Sequence, residues 1–529
     1  MPSTTLADRK SGFKKGIDAS EGRRCRNETS IKLRKDKKEE GLAKRRAALT
    51  PSGLTTSSDG SSVGKNLYTV ADIPQLAAAL LQPNVDGAKL LDVVRGFRKI
   101  LSVESNPPVH DVLQSGVLPT LVHMLTLNDK PDVQFEAAWA LTNIASTDMT
   151  RAVVEAGAVP IFINLLSSPS ADIRDQSAWC LGNIAGDSPP LRDTVLFAGA
   201  MQPLLKNIVS PATPALLNNS VWALSNFCRG KPAPVLSYIA SAIPVLASIL
   251  QQAHADTKVD ALWALSYISD GNDERIQAVV DCDLAPLLVE LLGSEGSNVV
   301  TPALRTVGNI VSGNDEHTQA VLDAGLINRM PLLLQSPKRG IRKEACWVLS
   351  NIAAGTQAQI AQVFKGGMNH VVNLAMDAEW EVRKEAIWVL SNIATGGTST
   401  QVMSVVECGA IDALCSILKI NDTKMLLVAL DAIHNILKVG SEHGKNYVSF
   451  VDECDGLMEI ENLQEHESEE VYQHAIKIIE TYFGVDDNME DENLAPVVDG
   501  NTFSFGVSQK LDNSCDDALR GTIYNFAAI

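Results

Sequence analysis

Trp139-Ala-Leu-Thr-Asn143, Trp179-Cys-Leu-Gly-Asn183, Trp222-Ala-Leu-Ser-Asn226 and Trp263-Ala-Leu-Ser-Tyr267 are copies of one pattern. It continues as Arg305-Thr-Val-Gly-Asn309, Trp347-Val-Leu-Ser-Asn351, Trp388-Val-Leu-Ser-Asn392 and Asp431-Ala-Ile-His-Asn435. First residues of successive copies lie 40, 43, 41, 42, 42, 41 and 43 positions apart. Phe97-Arg-Lys-Ile-Leu101 fits a degenerate copy one period upstream, and Ile476-Lys-Ile-Ile-Glu480 one downstream. A fixed period is the mark of a repeat architecture, here about ten units.

Each unit reads as helices. After the Asn comes a Gly- or Ser-containing break such as Gly186-Asp187 or Gly313-Asn314. The next helix ends in a turn like Ala156-Gly157-Ala158-Val159-Pro160, where the proline suits a first helical turn. An aliphatic helix, Ile161-Phe-Ile-Asn-Leu-Leu166, and a polar loop lead into the long helix with the Trp. Two or three helices per period of about 40–47 residues is the HEAT/armadillo pattern. The expected fold is all-α: a right-handed superhelical solenoid of about ten armadillo repeats over residues 70–483. Residues 1–50 form a basic arm, residues 51–69 a Ser/Thr/Gly-rich flexible linker, and residues 484–529 a disordered acidic tail.

Composition narrows the function. No apolar run reaches the 18 or so residues that span a bilayer, so no membrane insertion is expected. The polar, basic start does not read as a secretory signal. Nine scattered cysteines form no CxxC pair, which fits buried thiols better than disulfides or a zinc site. The chain carries a net −18, yet residues 1–50 carry +8, leaving −26 for the rest. So acidic a body is not a general nucleic-acid binder. There is no HExxH, no GxSxG, and Gly60-Ser-Ser-Val-Gly64-Lys65 has the wrong spacing for a P-loop. The chain reads as a binding protein rather than an enzyme, and no pattern calls for a cofactor or metal.

Ala137, Leu141 and Ile144 make one apolar stripe on a helix, and Trp139, Asn143 and Ser146 make a second, offset by two residues or about 200°. If the aliphatic stripe is buried, the Trp–Asn stripe is expected to face outward as an exposed row. The alternative is a buried Asn ladder with Trp as core packing. The pairing is intact at 139/143, 179/183 and 222/226, interrupted at Tyr267 and Arg305, and restored at 347/351 and 388/392. Two separate pockets are expected. An Asn amide both donates and accepts, so it can clamp an extended backbone whatever its sequence. Slots between Trp rings suit the stems of Lys and Arg, with cation–π attraction of about 0.5–2 kcal/mol. Asp187, Asp270, Glu344 and Glu385 stand beside the rows and are expected to supply the charge. The expected ligand is an extended Lys/Arg-rich peptide.

With this register and interruption, the chain resembles the importin alpha family of nuclear-import adaptors over about residues 9–483. The resemblance implies a major site for nuclear localisation signals at Trp139, Asn143, Ser146, Gln176, Trp179, Asn183, Asp187, Trp222 and Asn226. Asp187 would take the signal's key lysine. It implies a minor site at Arg305, Asn309, Thr318, Glu344, Trp347, Asn351, Glu385, Trp388 and Asn392. Leu33-Arg34-Lys35-Asp36-Lys37-Lys38-Glu39-Glu40 and Leu42-Ala43-Lys44-Arg45-Arg46 are similar to the family's importin-beta-binding segment, with Lys44, Arg45 and Arg46 as an autoinhibitory mimic of cargo. A tether of 20–25 flexible residues has a mean reach of about 25–30 Å, enough to bring the mimic back to the first pocket. Tyr472–Gly484 resembles the cap at which the family's export receptor binds. Implied partners are importin beta, cargo with one or two basic clusters, and that receptor; the implied location is cytoplasm and nucleus. The rival reading is an armadillo scaffold in adhesion or signalling, as in catenins, which would lack the basic arm and the paired Trp–Asn clusters.

Overall fold

In the computed structural model of the chain, residues 68–82, 87–103, 106–252, 255–484, 497–499 and 502–504 are described. The arm with Lys44, Arg45 and Arg46 lies outside them. Ten long inner helices, one per repeat, set the architecture: α1 Gly87–Leu101, α2 Pro131–Ile144, α3 Ala171–Asp187, α4 Pro214–Phe227, α5 Ala255–Ser269, α6 Ser297–Ile310, α7 Arg339–Ala353, α8 Trp380–Gly396, α9 Thr423–Glu442 and α10 Glu469–Ile478. Each packs on the inner helices before and after it, as a solenoid requires. Shorter helices precede them, such as Thr150–Glu155 and Ala158–Leu165 ahead of α3.

The corner between those short helices needs a left-handed residue. Gly157 supplies it at φ 80°, and Gly116, Gly199, Gly325, Gly367 and Gly409 do the same in other repeats. Asp283 and Asp455 take the corner elsewhere, at φ 52° and 60°; Asp tolerates this region through its short polar side chain.

Ala137, Leu141 and Ile144 are fully buried, as expected, in one apolar core that runs from Ile73 to Ile478. Polar locks join the repeats. Thr356 and Thr398 cap the helices Gln357–Lys365 and Ser399–Glu407 in reciprocal boxes with Gln359 and Gln401. The same glutamines reach back one repeat: Gln359 Nε2 donates to Asp315 O and Gln401 Nε2 to Gln357 O, both at 2.8 Å.

Three expectations shift. The helix α3 does not break at Gly186 but runs to Asp187, so that carboxylate stands on its last turn. Tyr68 and Thr69 are tied to the array rather than to the linker: Tyr68 Oη donates to Asp92 at 2.8 Å, and Thr69 caps the turn Val70–Asp72. Within the tail, Val497–Asp499 and Thr502–Ser504 pair antiparallel, with Val498 opposite Phe503. Among the described residues no single helix is long and apolar enough to cross a membrane.

Candidate functional site

The Trp–Asn rows are not an exposed apolar stripe. Trp139, Trp179, Trp347 and Trp388 are 4–9% exposed, and only Trp222 among the row's tryptophans is half-buried. The reason is lateral packing. An inner helix has a neighbour on each flank, so residues 200° from the core still meet the adjacent repeat. Gly182 makes room for this: a Cβ there would lie 2.5 Å from Trp222 Cζ3. Gly308 does the same for Trp347. Trp222 and Trp347 thus lie against the preceding repeat, at the residue before that repeat's Asn.

The asparagines form the ladder held open as the alternative. Asn183 Nδ2 donates to Thr142 O at 3.4 Å, Asn226 to Gly182 O at 3.0 Å, and Asn392 to Ser350 O at 2.8 Å. Asn309 donates to Ser266 O at 2.9 Å and Ser269 Oγ at 3.1 Å, and Asn143 to Ser102 Oγ at 3.0 Å. Every bond points to the preceding repeat. In these five asparagines the Nδ2 end of the amide is therefore structural. Asn183 Oδ1 and Asn392 Oδ1 are buried with no hydrogen-bond partner among the described residues, as are Gln176 Nε2, Asn351 Nδ2 and Trp388 Nε1. Buried polar atoms are nearly always paired, and these five lie on residues of the two expected pockets, while Ser220 Oγ, Arg275 Nη2 and His434 Nδ1 are further orphans outside them.

Charge is distributed less evenly than the sequence suggested. Asp187 is exposed, with no ion-pair partner among the described residues. It sits four residues past Asn183, where the other repeats with Trp or Arg at the row position carry Thr147, Gly230, Gly271, Gly313, Gly355 and Gly396. Asp270 is taken by Lys231 at 3.1 Å. Glu344 is taken by Arg305 through two bonds, of 2.9 and 2.6 Å, with both side chains 9% exposed. Neither of these acids is the open anionic site expected of it. Glu385 is half-buried on α8. Thr318 is buried, its hydroxyl donating to Asn314 O at 3.1 Å, and Ser146 is half-buried, donating to Asn143 O at 2.7 Å.

Two features go beyond the sequence reading. The position three before the Trp, held in the expected pockets by Gln176, Glu344 and Glu385, continues through the array as Glu136, Asn219 and Asp260, which the sequence reading did not single out. The same i,i+3 spacing from the Trp was the available signal. The first repeat is also in a different register. Asn143 meets Ser102, and the Arg98 guanidinium lies over the Trp139 ring, 4.5 Å from its centroid. Arg98 and Ser102 therefore hold the Trp and Asn positions, one residue later than the copy read at Phe97–Leu101. Phe97 and Leu101 are fully buried core.

The family model of the importin beta binding domain matches residues 9–86. Armadillo/beta-catenin-like repeat models match 105–146, 146–186, 236–270, 272–312, 314–354 and 398–438, and an atypical Arm repeat matches 445–497. Importin subunit alpha-2 of Arabidopsis thaliana is 43% identical, with 94% of each chain covered. The chain belongs to the importin alpha family. Importin subunit alpha-1b of Oryza sativa subsp. japonica is 42% identical over 96% of this chain and 97% of its own. The crystal structure of an engineered protein, 29% identical, superposes with a TM-score of 0.72 over 78% of this chain and 99% of its own. An importin alpha match spanning arm and repeats displaces the catenin-like scaffold reading. The all-helical array is the armadillo fold of that family.

Proposed function

We propose that this chain is a nuclear import adaptor that holds extended Lys/Arg-rich localisation signals along the Trp–Asn rows and links them to importin beta through its basic arm. The observation that carries the peptide groove is the set of polar atoms without a partner among the described residues, Gln176 Nε2 and Asn183 Oδ1, four residues or more along α3 from the exposed Asp187 carboxylate, which has no ion pair among those residues. An extended backbone supplies the N–H and C=O groups those amides lack. A lysine supplies the cation that Asp187 lacks. The first pocket comprises Trp139, Asn143, Ser146, Gln176, Trp179, Asn183, Asp187, Trp222 and Asn226. The second comprises Arg305, Asn309, Thr318, Glu344, Trp347, Asn351, Glu385, Trp388 and Asn392, and it is the weaker because Arg305 neutralises Glu344.

Residues 1–50 are the importin-beta-binding arm, with Lys44, Arg45 and Arg46 competing for the first pocket. The linker follows to residue 67, the array with the cargo groove occupies 68–483, and residues 484–529 are the acidic tail. The export receptor binds near the C-terminal repeats, and the protein moves between cytoplasm and nucleus. The test is anisotropy with a labelled peptide bearing one basic cluster. Asp187→Lys places like charges together and removes a paired charge, which costs about 2–5 kcal/mol of binding. Trp179→Ala weakens binding by loss of the slot. Parent-like affinity in both variants overturns the site assignment.

A further inference from the structure

The start of the first row is occupied by the protein itself. Arg98 lies on α1 at the Trp position of the first repeat, and its guanidinium covers the face of Trp139 that looks toward that repeat. Its Nε donates to Glu136 Oε2 at 2.8 Å. Arg95 Nε donates to Glu136 Oε1 at 2.9 Å. Glu136 is 6% exposed, so one buried carboxylate is shared between two guanidinium groups and the trio keeps a net positive charge. The arginine side chains are not sealed: Arg98 is 16% exposed and Arg95 38%. Among the described residues, the neighbouring Lys99 and Asp92 carry opposite charges and leave the excess standing. Lys99 lies over the Tyr68 ring, 5.4 Å from its centroid, while Asp92 accepts from Tyr68 Oη.

The arrangement recurs once. Arg305 takes the Trp position of the sixth repeat and pairs with Glu344, three residues before Trp347, as Glu136 is three before Trp139. There one arginine meets one glutamate and the pair is neutral. At the start of the groove two arginines meet one glutamate. That difference makes this end cationic, although the body as a whole is strongly acidic.

We propose that Arg98 and Arg95 are specificity-determining residues that close this end of the first groove to cations and select peptides with a carboxylate just beyond the basic cluster. The inference rests on the groove reading above. A lysine or arginine carried past Trp139 meets an aromatic face already covered and an uncompensated positive charge. An Asp or Glu at that place meets the Arg95 guanidinium edge, whose Nη groups bond no described residue, and the part-exposed Arg98. The peptide's direction follows from the same device, because one of its flanks alone reaches Arg98.

The test uses the full chain and three peptides sharing one basic cluster: neutral flanks, two acids on the N-terminal side, and two acids on the C-terminal side. Ratios of affinity cancel competition from the arm. One acidic flank is expected to tighten binding about three- to fivefold over neutral flanks at low salt, the upper range for a part-exposed charge pair, and to lose the gain at high salt. The other flank gives no gain. Arg98→Gln and Arg95→Gln each cut the gain to about twofold or less, and Arg95→Gln, at a more exposed position, keeps the test sound if Arg98→Gln is poorly folded. Glu136→Gln, which adds one net positive charge, enlarges the gain. Equal response to both flanks, no response to either, or a gain unchanged in both arginine variants overturns the inference while basic-cluster binding stands. Failure of the neutral-flank peptide to bind overturns the groove reading instead.

Discussion

At the scale of single residues, glycine and asparagine carry more of the site than the aromatic rings do. Gly182 is the seat of Trp222, and any Cβ there meets the ring at 2.5 Å and the Ala223 backbone at 3.0 Å. Backbone on one side leaves the indole to move. Gly182→Ala is therefore expected to cost about 1–3 kcal/mol of stability by overpacking. It should also weaken basic-peptide binding, because the displaced ring no longer frames its slot; thermal melts and peptide titration read the two effects separately. The i,i+4 pairing of Asn183 with Trp179 marks it in the sequence as a candidate amide of the proposed groove. Its structural half was not legible there, because the acceptor, Thr142 O, is 41 residues away. Nor was the loss of Asp270 to Lys231, since that partner sits in the preceding repeat. Sequence periodicity places residues on one helix face; it does not say which neighbour has already used them.

At the scale of elements, the inner helix behaves as a plank between two planks. Its apolar stripe follows helix periodicity, which is why Ala137, Leu141 and Ile144 were read correctly. Burial of the opposite stripe comes from packing between α1, α2, α3 and α4, which periodicity within one helix does not encode. The start of the array was misread by one residue for a related reason: Phe97 mimics an aromatic row residue, yet it is core, while Arg98 faces the row. The bond across α6 and α7 gives this scale its prediction. Arg305 and Glu344 are buried together, so Arg305→Ala strands a carboxylate and is expected to cost about 3–5 kcal/mol. Replacing both by Leu removes the charge and its partner at once, and most of that loss should return. Chemical denaturation of the parent, the single and the double variant checks it. A double variant as unstable as the single one would mean that packing, not charge, sets the cost.

At the scale of the whole molecule, the proposed function sets two pockets and one arm in competition for the same chemistry. Tyr267 and Arg305 separate the pockets, so a peptide with two basic clusters gains from both only if its spacer crosses the repeats between them. Cutting the spacer to two or three residues is expected to reduce affinity to that of one cluster. On the proposed reading, Lys44, Arg45 and Arg46 are an internal competitor. A tethered competitor acts at an effective concentration near millimolar, so on that reading even a weak mimic would occupy the first pocket much of the time. Capture of the arm by importin beta is then expected to remove the competitor and raise cargo affinity. The coupling is reciprocal, so cargo must raise the affinity for importin beta by the same factor. Deleting residues 1–66, or changing Lys44, Arg45 and Arg46 to alanine, is expected to raise affinity for a single basic cluster and to abolish the coupling. High salt narrows the difference because it screens mimic and cargo alike. Isothermal titration of the full and truncated chains at low salt, without importin beta, decides the matter: equal affinities would sink autoinhibition and leave the groove untouched, since the orphaned amides at Gln176 and Asn183 do not depend on the arm.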